Sequence, residues 1–208
     1  MFKAEKEEVA YFMRRLYQQK LTTTSGGNVS FRIDDEHILI TASQTDKARI
    51  SPGEIGVVDL SGKSKTPELK LSMETGMHLS VFRKRKDVKA IVHAHPVHAS
   101  VFCVTDKDIN CCLMGEQRYV LGTPLKAEYA LMGTPELAEI VSEVARKTNV
   151  VLMKNHGILC VGESLLQAFD RLEVVEAAAR TTLLTNAPGR TTGLTNEQLR
   201  EIDGMREQ

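Results

Sequence analysis

Ala90-Ile91-Val92-His93-Ala94-His95 is an apolar, β-rich run that carries two histidines two residues apart. Side chains two apart in a strand leave from the same face, so a strand here presents both imidazoles to one side of a sheet. A second apolar run, Val150-Val151-Leu152-Met153-Lys154-Asn155-His156-Gly157, ends on a third histidine. Brought beside the first run, His156 can close a three-nitrogen metal site with His93 and His95. The alternative is a pair of satisfied strand histidines and an unrelated turn residue at position 156, because short histidine spacings are weak motifs.

Outward from these runs the chain alternates helices and strands. Val9, Phe12, Met13, Leu16 and Tyr17 fall at helical spacing, which predicts an amphipathic helix over 4–19. A polar loop, Thr22 to Asn28, follows it. Val29–Ile33 and His37–Thr41 flank Asp34-Asp35-Glu36 and read as a hairpin, and Ile55–Leu60 reads as another short strand. A helix over about 74–85 leads into a strand over 88–95, and 98–104 is ambiguous between helix and strand. Pro135 opens a helix to about 147 that feeds a strand over 149–154. Gly157–Val161 is a further strand. Ser164 caps a long helix to about Leu184, ended by Pro188-Gly189. The hairpin-like strands argue against a purely parallel sheet, so the class is α/β with a mixed sheet.

The chain has 208 residues and is 42% hydrophobic, enough for one buried core, so one domain is expected over 1–188 with a polar tail over 189–208 that is mobile or a short helix. Lys+Arg and Asp+Glu are equal at 27 each, which removes any global attraction to nucleic acid or an acidic membrane surface. No apolar run approaches the roughly 20 residues that span a bilayer, and the charged start lacks a secretory apolar stretch, so a cytoplasmic location is expected. Cys103, Cys111, Cys112 and Cys160 then read as reduced thiols. Two further motifs carry chemistry. Ser25-Gly26-Gly27-Asn28 joins the first helix to the first strand and either gathers backbone N–H groups on an anion or makes a plain tight turn. Ser72-Met73-Glu74 opens a helix, where a carboxylate is ordinarily a capping or dipole residue.

Taken in order and interval, the motifs resemble the class II aldolase/adducin family over about residues 5–185. The resemblance rests on Gly26-Gly27-Asn28-Val29-Ser30, Ile40-Thr41-Ala42-Ser43, Ser72-Met73-Glu74, His78 and Val92-His93-Ala94-His95. It continues through Tyr129, Gly133-Thr134, Asn155-His156-Gly157 and Gly162. It implies a three-layer α/β/α sandwich around a mixed, largely antiparallel sheet. It also implies one zinc per subunit on His93, His95 and His156, placed to polarise a ketose carbonyl and hold the enediolate left when a C–C bond breaks. Glu74 would shuttle a proton at the nucleophilic carbon. Tyr129 would reach into a neighbouring subunit's site, which implies a C4 homotetramer. A structural tyrosine is the other reading of Tyr129.

The family's phosphate-binding positions map onto Ser25, Gly26, Gly27, Asn28, Ser43, Gln44, Ser72 and Met73. Ser43-Gln44 stands where sugar-phosphate aldolases typically have Thr-Gly, and Ser72-Met73 where they have Ser-Ser, so two donors are altered. Lys47 or Arg49 either restores positive charge or is an ordinary solvated loop residue. The tail lacks a second tyrosine used by the fuculose-phosphate enzymes. On strand parity His98 points away from His93 and His95. His78 either buttresses the site or packs, His37 is expected to be solvated, and Lys154 needs no Schiff-base role.

The resemblance implies reversible cleavage of a ketose 1-phosphate, such as L-fuculose 1-phosphate, into dihydroxyacetone phosphate and an aldehyde. The sibling chemistries are 4-epimerisation of a pentulose 5-phosphate, dehydration of methylthioribulose 1-phosphate and decarboxylation of an oxo-tetronate phosphate. A non-enzymatic, adducin-like scaffold is the remaining alternative, and the intact histidine set with Glu74 argues against it.

Overall fold

The computed structural model describes residues 2–185 and 193–206. Strands β1 (Asn28–Arg32), β2 (His37–Thr41), β3 (Ile55–Asp59), β4 (Ala90–Ala94), β5 (Leu125–Ala127), β6 (Val150–Met153) and β7 (Gly157–Gly162) form one sheet in the order β3-β2-β1-β4-β7-β6-β5. Every neighbouring pair is antiparallel except β5 with β6. The β1–β2 and β6–β7 hairpins place strands that are close in sequence side by side. Pairing of β1 and of β7 with β4 then puts the first histidine strand at the centre.

Alternation along the strands splits the core into two layers. Val29, Val92, Leu152 and Ile158 face α1 (Lys3–Gln18), α3 (Val97–Cys103) and α6 (Leu165–Leu184), where Met13, Phe102 and Phe169 are buried. Ile40, Ile91, Val151 and Leu159 face α2 (Thr75–Lys84) and α5 (Pro135–Ala145), where Phe82 and Val141 are buried. The result is the α/β/α sandwich around a mixed sheet. His93 has the parity of Ile91, so it projects to the α2 side, where the residues that open α2 wait.

The helix starts follow local chemistry. Thr134 and Ser164 each accept a hydrogen bond from the N–H three residues on, Leu137 (3.2 Å) and Gln167 (3.1 Å), and Pro135 occupies the first helical position of α5. Of residues 98–104, undecided between helix and strand, 98–103 belong to α3 and Val104 caps its end. The Pro188-Gly189 stop lies outside the described residues; α6 runs to Leu184. Sequence periodicity passed over α4 (Gly115–Leu121) and β5, which at seven and three residues are too short to show a repeat. Within the tail, α7 (Asn196–Arg206) packs on α4, and Arg118 holds Asp203 through two hydrogen bonds of 2.7 and 2.5 Å. Among the described residues no helix is long and apolar enough to cross a membrane.

Candidate metal centre

The antiparallel register sets Asn28 of β1 directly opposite His93 of β4, so their side chains share a face. His95 lies one residue beyond the end of β4, where its N–H donates to the Leu21 carbonyl (3.2 Å). His156 sits in the turn joining β6 to β7, which is closed by its N–H on the Met153 carbonyl (3.1 Å) and by Asn155 at φ 53°, a left-handed conformation that asparagine tolerates. The three rings converge, with centroids 4.7 Å apart for His93 and His95, 4.9 Å for His93 and His156, and 5.7 Å for His95 and His156.

Glu74 comes to the same point from the α2 side. Its Oε2 lies 3.2 Å from His93 Nε2 and its Oε1 3.0 Å from His156 Nε2. Asn28 Nδ2 donates to Glu74 Oε2 (2.8 Å) and to Ser72 Oγ (3.1 Å). Both amide hydrogens of Asn28 are therefore committed, and its Oδ1 can only accept. The structure thus sets Asn28 to orient Glu74, while its amide has no hydrogen left for a phosphate. Behind the site, His78 is buried, with Nδ1 2.6 Å from Ser30 Oγ, so it buttresses the floor.

The charges follow from this packing. Burial alone would raise the Glu74 carboxyl, but the His93 charge and hydrogen bonds from His156, His93 and Asn28 hold it well below the ordinary carboxylate range. Burial works against charge on His93, yet the facing carboxylate raises its pKa. Burial first, then the charge of His93 and His156, pushes His95 down to about 3. Burial, with His93 second, pushes His78 to about 3.

The donor set fits a divalent metal. One ligand nitrogen from each of His93, His95 and His156 lies within 4.8 Å of the others. A tetrahedral ion with Zn–N near 2.05 Å needs about 3.3 Å between nitrogens, a modest closure. His93 Nδ1 lies 2.9 Å from the Ile158 carbonyl; donating there leaves the lone pair on Nε2, as a ligand imidazole requires. His93 Nε2 and Glu74 Oε1 are buried without a hydrogen bond of good geometry, orphans that an ion would satisfy.

A cavity of about 340 Å³ opens onto the centre, lined by Ser25, Gly26, Gly27, Asn28, Ser43, Ser72, Met73, Glu74, His95 and His156, with Ala42, Lys47, Met132 and Asn155. All but three of the residues singled out from the sequence meet here. His93 lies buried beneath the wall. Gln44 is not part of the lining: it sits at φ 58°, the conformation that favours the glycine it replaces, and its Oε1 accepts from Lys70 Nζ (3.2 Å). Tyr129 is 58% exposed and does not reach the cavity of its own chain.

Four side residues differ from or refine their expected settings. Lys47 is 1% exposed and lines the cavity, so the solvated-loop alternative is wrong for it: the loop folds back under Thr24, whose carbonyl accepts from Lys47 N–H (2.9 Å). His98 is no strand residue; on α3 its Nδ1 lies 2.6 Å from Glu176, which keeps it off the centre for a different reason. His37 is partly exposed against Asp34, and Lys154 is ion-paired to Glu128 at 2.6 Å. Asn155 and Met132 joined the lining without a sequence signal beyond their nearness to His156 and Gly133.

An α/β/α sandwich whose central strand and neighbouring hairpin turn present three histidines to a helix-borne glutamate defines a class. The chain belongs to the family of the class II aldolase and adducin N-terminal domain, which it matches over residues 7–183. It is 32% identical over 180 residues to an L-fuculose phosphate aldolase of Methanocaldococcus jannaschii, covering 86% of this chain and 96% of that protein. It is 30% identical over 181 residues to a 3-oxo-tetronate 4-phosphate decarboxylase of Haemophilus influenzae, covering 85% and 86%. A solved L-fuculose 1-phosphate aldolase structure matches with a TM-score of 0.88 and 31% identity, over 98% of this chain and 96% of the other. These likenesses support a class II aldolase, a lyase.

Proposed function

We propose that the chain is a divalent-metal aldolase that reversibly cleaves a ketose 1-phosphate, of the L-fuculose 1-phosphate kind, into dihydroxyacetone phosphate and an aldehyde. The observation that carries this reading is the Glu74 carboxylate, fixed by Asn28 and set 3.2 and 3.0 Å from two of three converging imidazoles, at the wall of one cavity. Zinc held by His93, His95 and His156 would supply Lewis-acid polarisation of the ketose carbonyl, and an imidazole triad also accepts cobalt, manganese or iron. Glu74 moves the proton at the carbon nucleophile, with Asn28 fixing one of its oxygens. The hydroxyl of Ser72, which accepts from Asn28, keeps its own hydrogen for a substrate oxygen. A cavity of about 340 Å³ suits a single sugar phosphate, at the small end of the roughly 300–1,000 Å³ range of ligand pockets.

Self-association into a homotetramer belongs to the same reading. Tyr129, Leu131 and Met132 form an exposed apolar stretch beside the cavity mouth, and Tyr129 would protonate the aldehyde oxygen in a neighbour's site. The likeness to the Haemophilus influenzae decarboxylase supports a second reading, loss of carbon dioxide from an oxo-tetronate phosphate at the same centre. Assay with ketose 1-phosphates, pentulose 5-phosphates and an oxo-tetronate phosphate, following dihydroxyacetone phosphate and carbon dioxide, separates them. Glu74→Gln should keep bound metal and lose turnover by roughly 100- to 10,000-fold; a variant with wild-type rate removes Glu74 from the chemistry.

A further inference from the structure

Lys47 is a buried cation whose direct partners carry no charge. Its Nζ donates to the Ala42 carbonyl (2.8 Å) and to Thr45 Oγ1 (2.9 Å), both neutral acceptors. Among the described residues no carboxylate lies within 4.0 Å of it; Glu54 acts on it only through longer-range charge. An ammonium has three N–H groups, so one remains for a ligand. Lys47 lines the cavity of the metal centre and, among the described residues, is the only lysine or arginine to do so.

The rest of that cavity is short of charge for an anionic substrate. Ser25, Gly26, Gly27, Ser43 and Ser72 bring neutral donors, the Asn28 amide is spent on Glu74 and Ser72, and Glu74 is itself negative. Two positions that could have added donors do not. The Gln44 side chain turns away to Lys70, and the Met73 side chain has no donor. A phosphate dianion brought here meets one full positive charge from the protein outside the metal centre, at Lys47. Without a ligand, an ammonium buried among neutral groups is costly, and a substrate phosphate supplies the missing partner.

We propose that Lys47 Nζ is the specificity-determining contact for the substrate's phosphate dianion, taking over from the donors missing at Gln44 and Met73. This rests on the sugar-phosphate reading above and assigns the charge recognition within it to one residue. The site then discriminates a phosphorylated ketose from the free sugar mainly through Lys47. The hydrogen bond from Lys47 to Thr24 is made by the backbone N–H, so a substitution of the side chain does not remove it directly.

The test is titration of inorganic phosphate into metal-loaded wild type, Lys47→Met and Lys47→Gln by calorimetry, with metal content and melting temperature measured for each. A charge-assisted hydrogen bond is worth enough to weaken phosphate binding roughly ten- to hundredfold in both variants, with stoichiometric metal and a cooperative melt retained. On a ketose 1-phosphate that the wild type cleaves, KM should rise more than kcat falls, and the preference over the unphosphorylated ketose should shrink by a similar factor. Phosphate binding unchanged in both folded variants overturns the proposal, as does a wild type that binds no phosphate. Binding lost in the variants while the wild type cleaves none of the ketose phosphates upholds Lys47 and removes only the aldolase reading. Cleavage with unchanged phosphate binding in the variants does the reverse.

Discussion

A methyl group at position 157 would lie 2.6 Å from His95 Cδ2, 2.7 Å from the Ala94 carbonyl oxygen and 3.2 Å from His93 Cε1. Two of those atoms belong to imidazoles that must converge, so glycine is what lets β7 start directly beneath them. Gly157→Ala should weaken metal binding by at least tenfold, measured by competition with a chromophoric chelator, because the added methyl also meets the Ala94 carbonyl, a backbone atom that cannot swing aside, and displaces the ligand rings. Gly27, at φ 68° with its Cβ position 2.7 Å from the His93 carbonyl, is the matching constraint on the β1 side. Lys47 shows what its setting costs. Burial lowers its pKa from 10.5 to about 8, against the favourable charge of Glu54. Between those values the unfolded chain binds the extra proton, so stability rises with pH across that window, and the full cost is present below pH 8. That cost is about 3 kcal/mol, and the two hydrogen bonds lost on substitution return roughly 2 kcal/mol. Lys47→Met should therefore gain about 1 kcal/mol at pH 7 in urea melts, and the gain should turn into a loss of roughly 1–2 kcal/mol by pH 10.5, where the charge cost has gone and the lost hydrogen bonds remain. A gain of the same size at both ends would show that charge is not its source.

At the scale of elements, the centre joins pieces that lie far apart in the sequence and that the sheet brings together. His93 and His95 belong to β4 and the residue beyond it, and His156 to the turn after β6. Glu74 immediately precedes α2, on the sheet face to which His93 projects. An ion held by His93, His95 and His156 would bridge the end of β4 and the β6–β7 turn, and would stabilise the folded chain by about 2.7 kcal/mol at a hundredfold excess over Kd. Stripping with a strong chelator should lower the melting temperature by about 5–10 °C, reversibly on adding zinc. Gly157→Ala should show a much smaller chelator effect, and a wild type indifferent to chelation would speak against a resident ion. Elements also show where sequence reading reaches its limit. The 3.6-residue repeat of α1 and the caps of α5 and α6 are encoded within one or two turns, so they were legible. Residues 98–104 were not, because Val101, Phe102 and Cys103 suit helix and strand equally until packing against α6 decides. The short β5 depends on β6 as a parallel partner 26 residues away for its register.

For the whole molecule, Tyr129 is exposed, and under the proposed function its place is in a neighbouring subunit's site. If it completes a neighbour's site, Tyr129→Phe and Glu74→Gln subunits are each inactive alone but, mixed and reassembled, should recover up to about a quarter of wild-type activity, because some interfaces then pair an intact Glu74 with an intact Tyr129. No recovery in a verified mixed tetramer would place Tyr129 outside the reaction. The sequence by itself determined the three histidines and Glu74 as candidates for one centre, the order of the longer helices and strands, and the family, because side-chain chemistry and short-range periodicity are local properties of the chain. Only the tertiary structure decided that Asn28 spends its donors on Glu74, that Gln44 faces away and that Lys47 is buried at the cavity wall. Those outcomes depend on which segments, far apart in sequence, come to share one desolvated space, and no local pattern of residues encodes that.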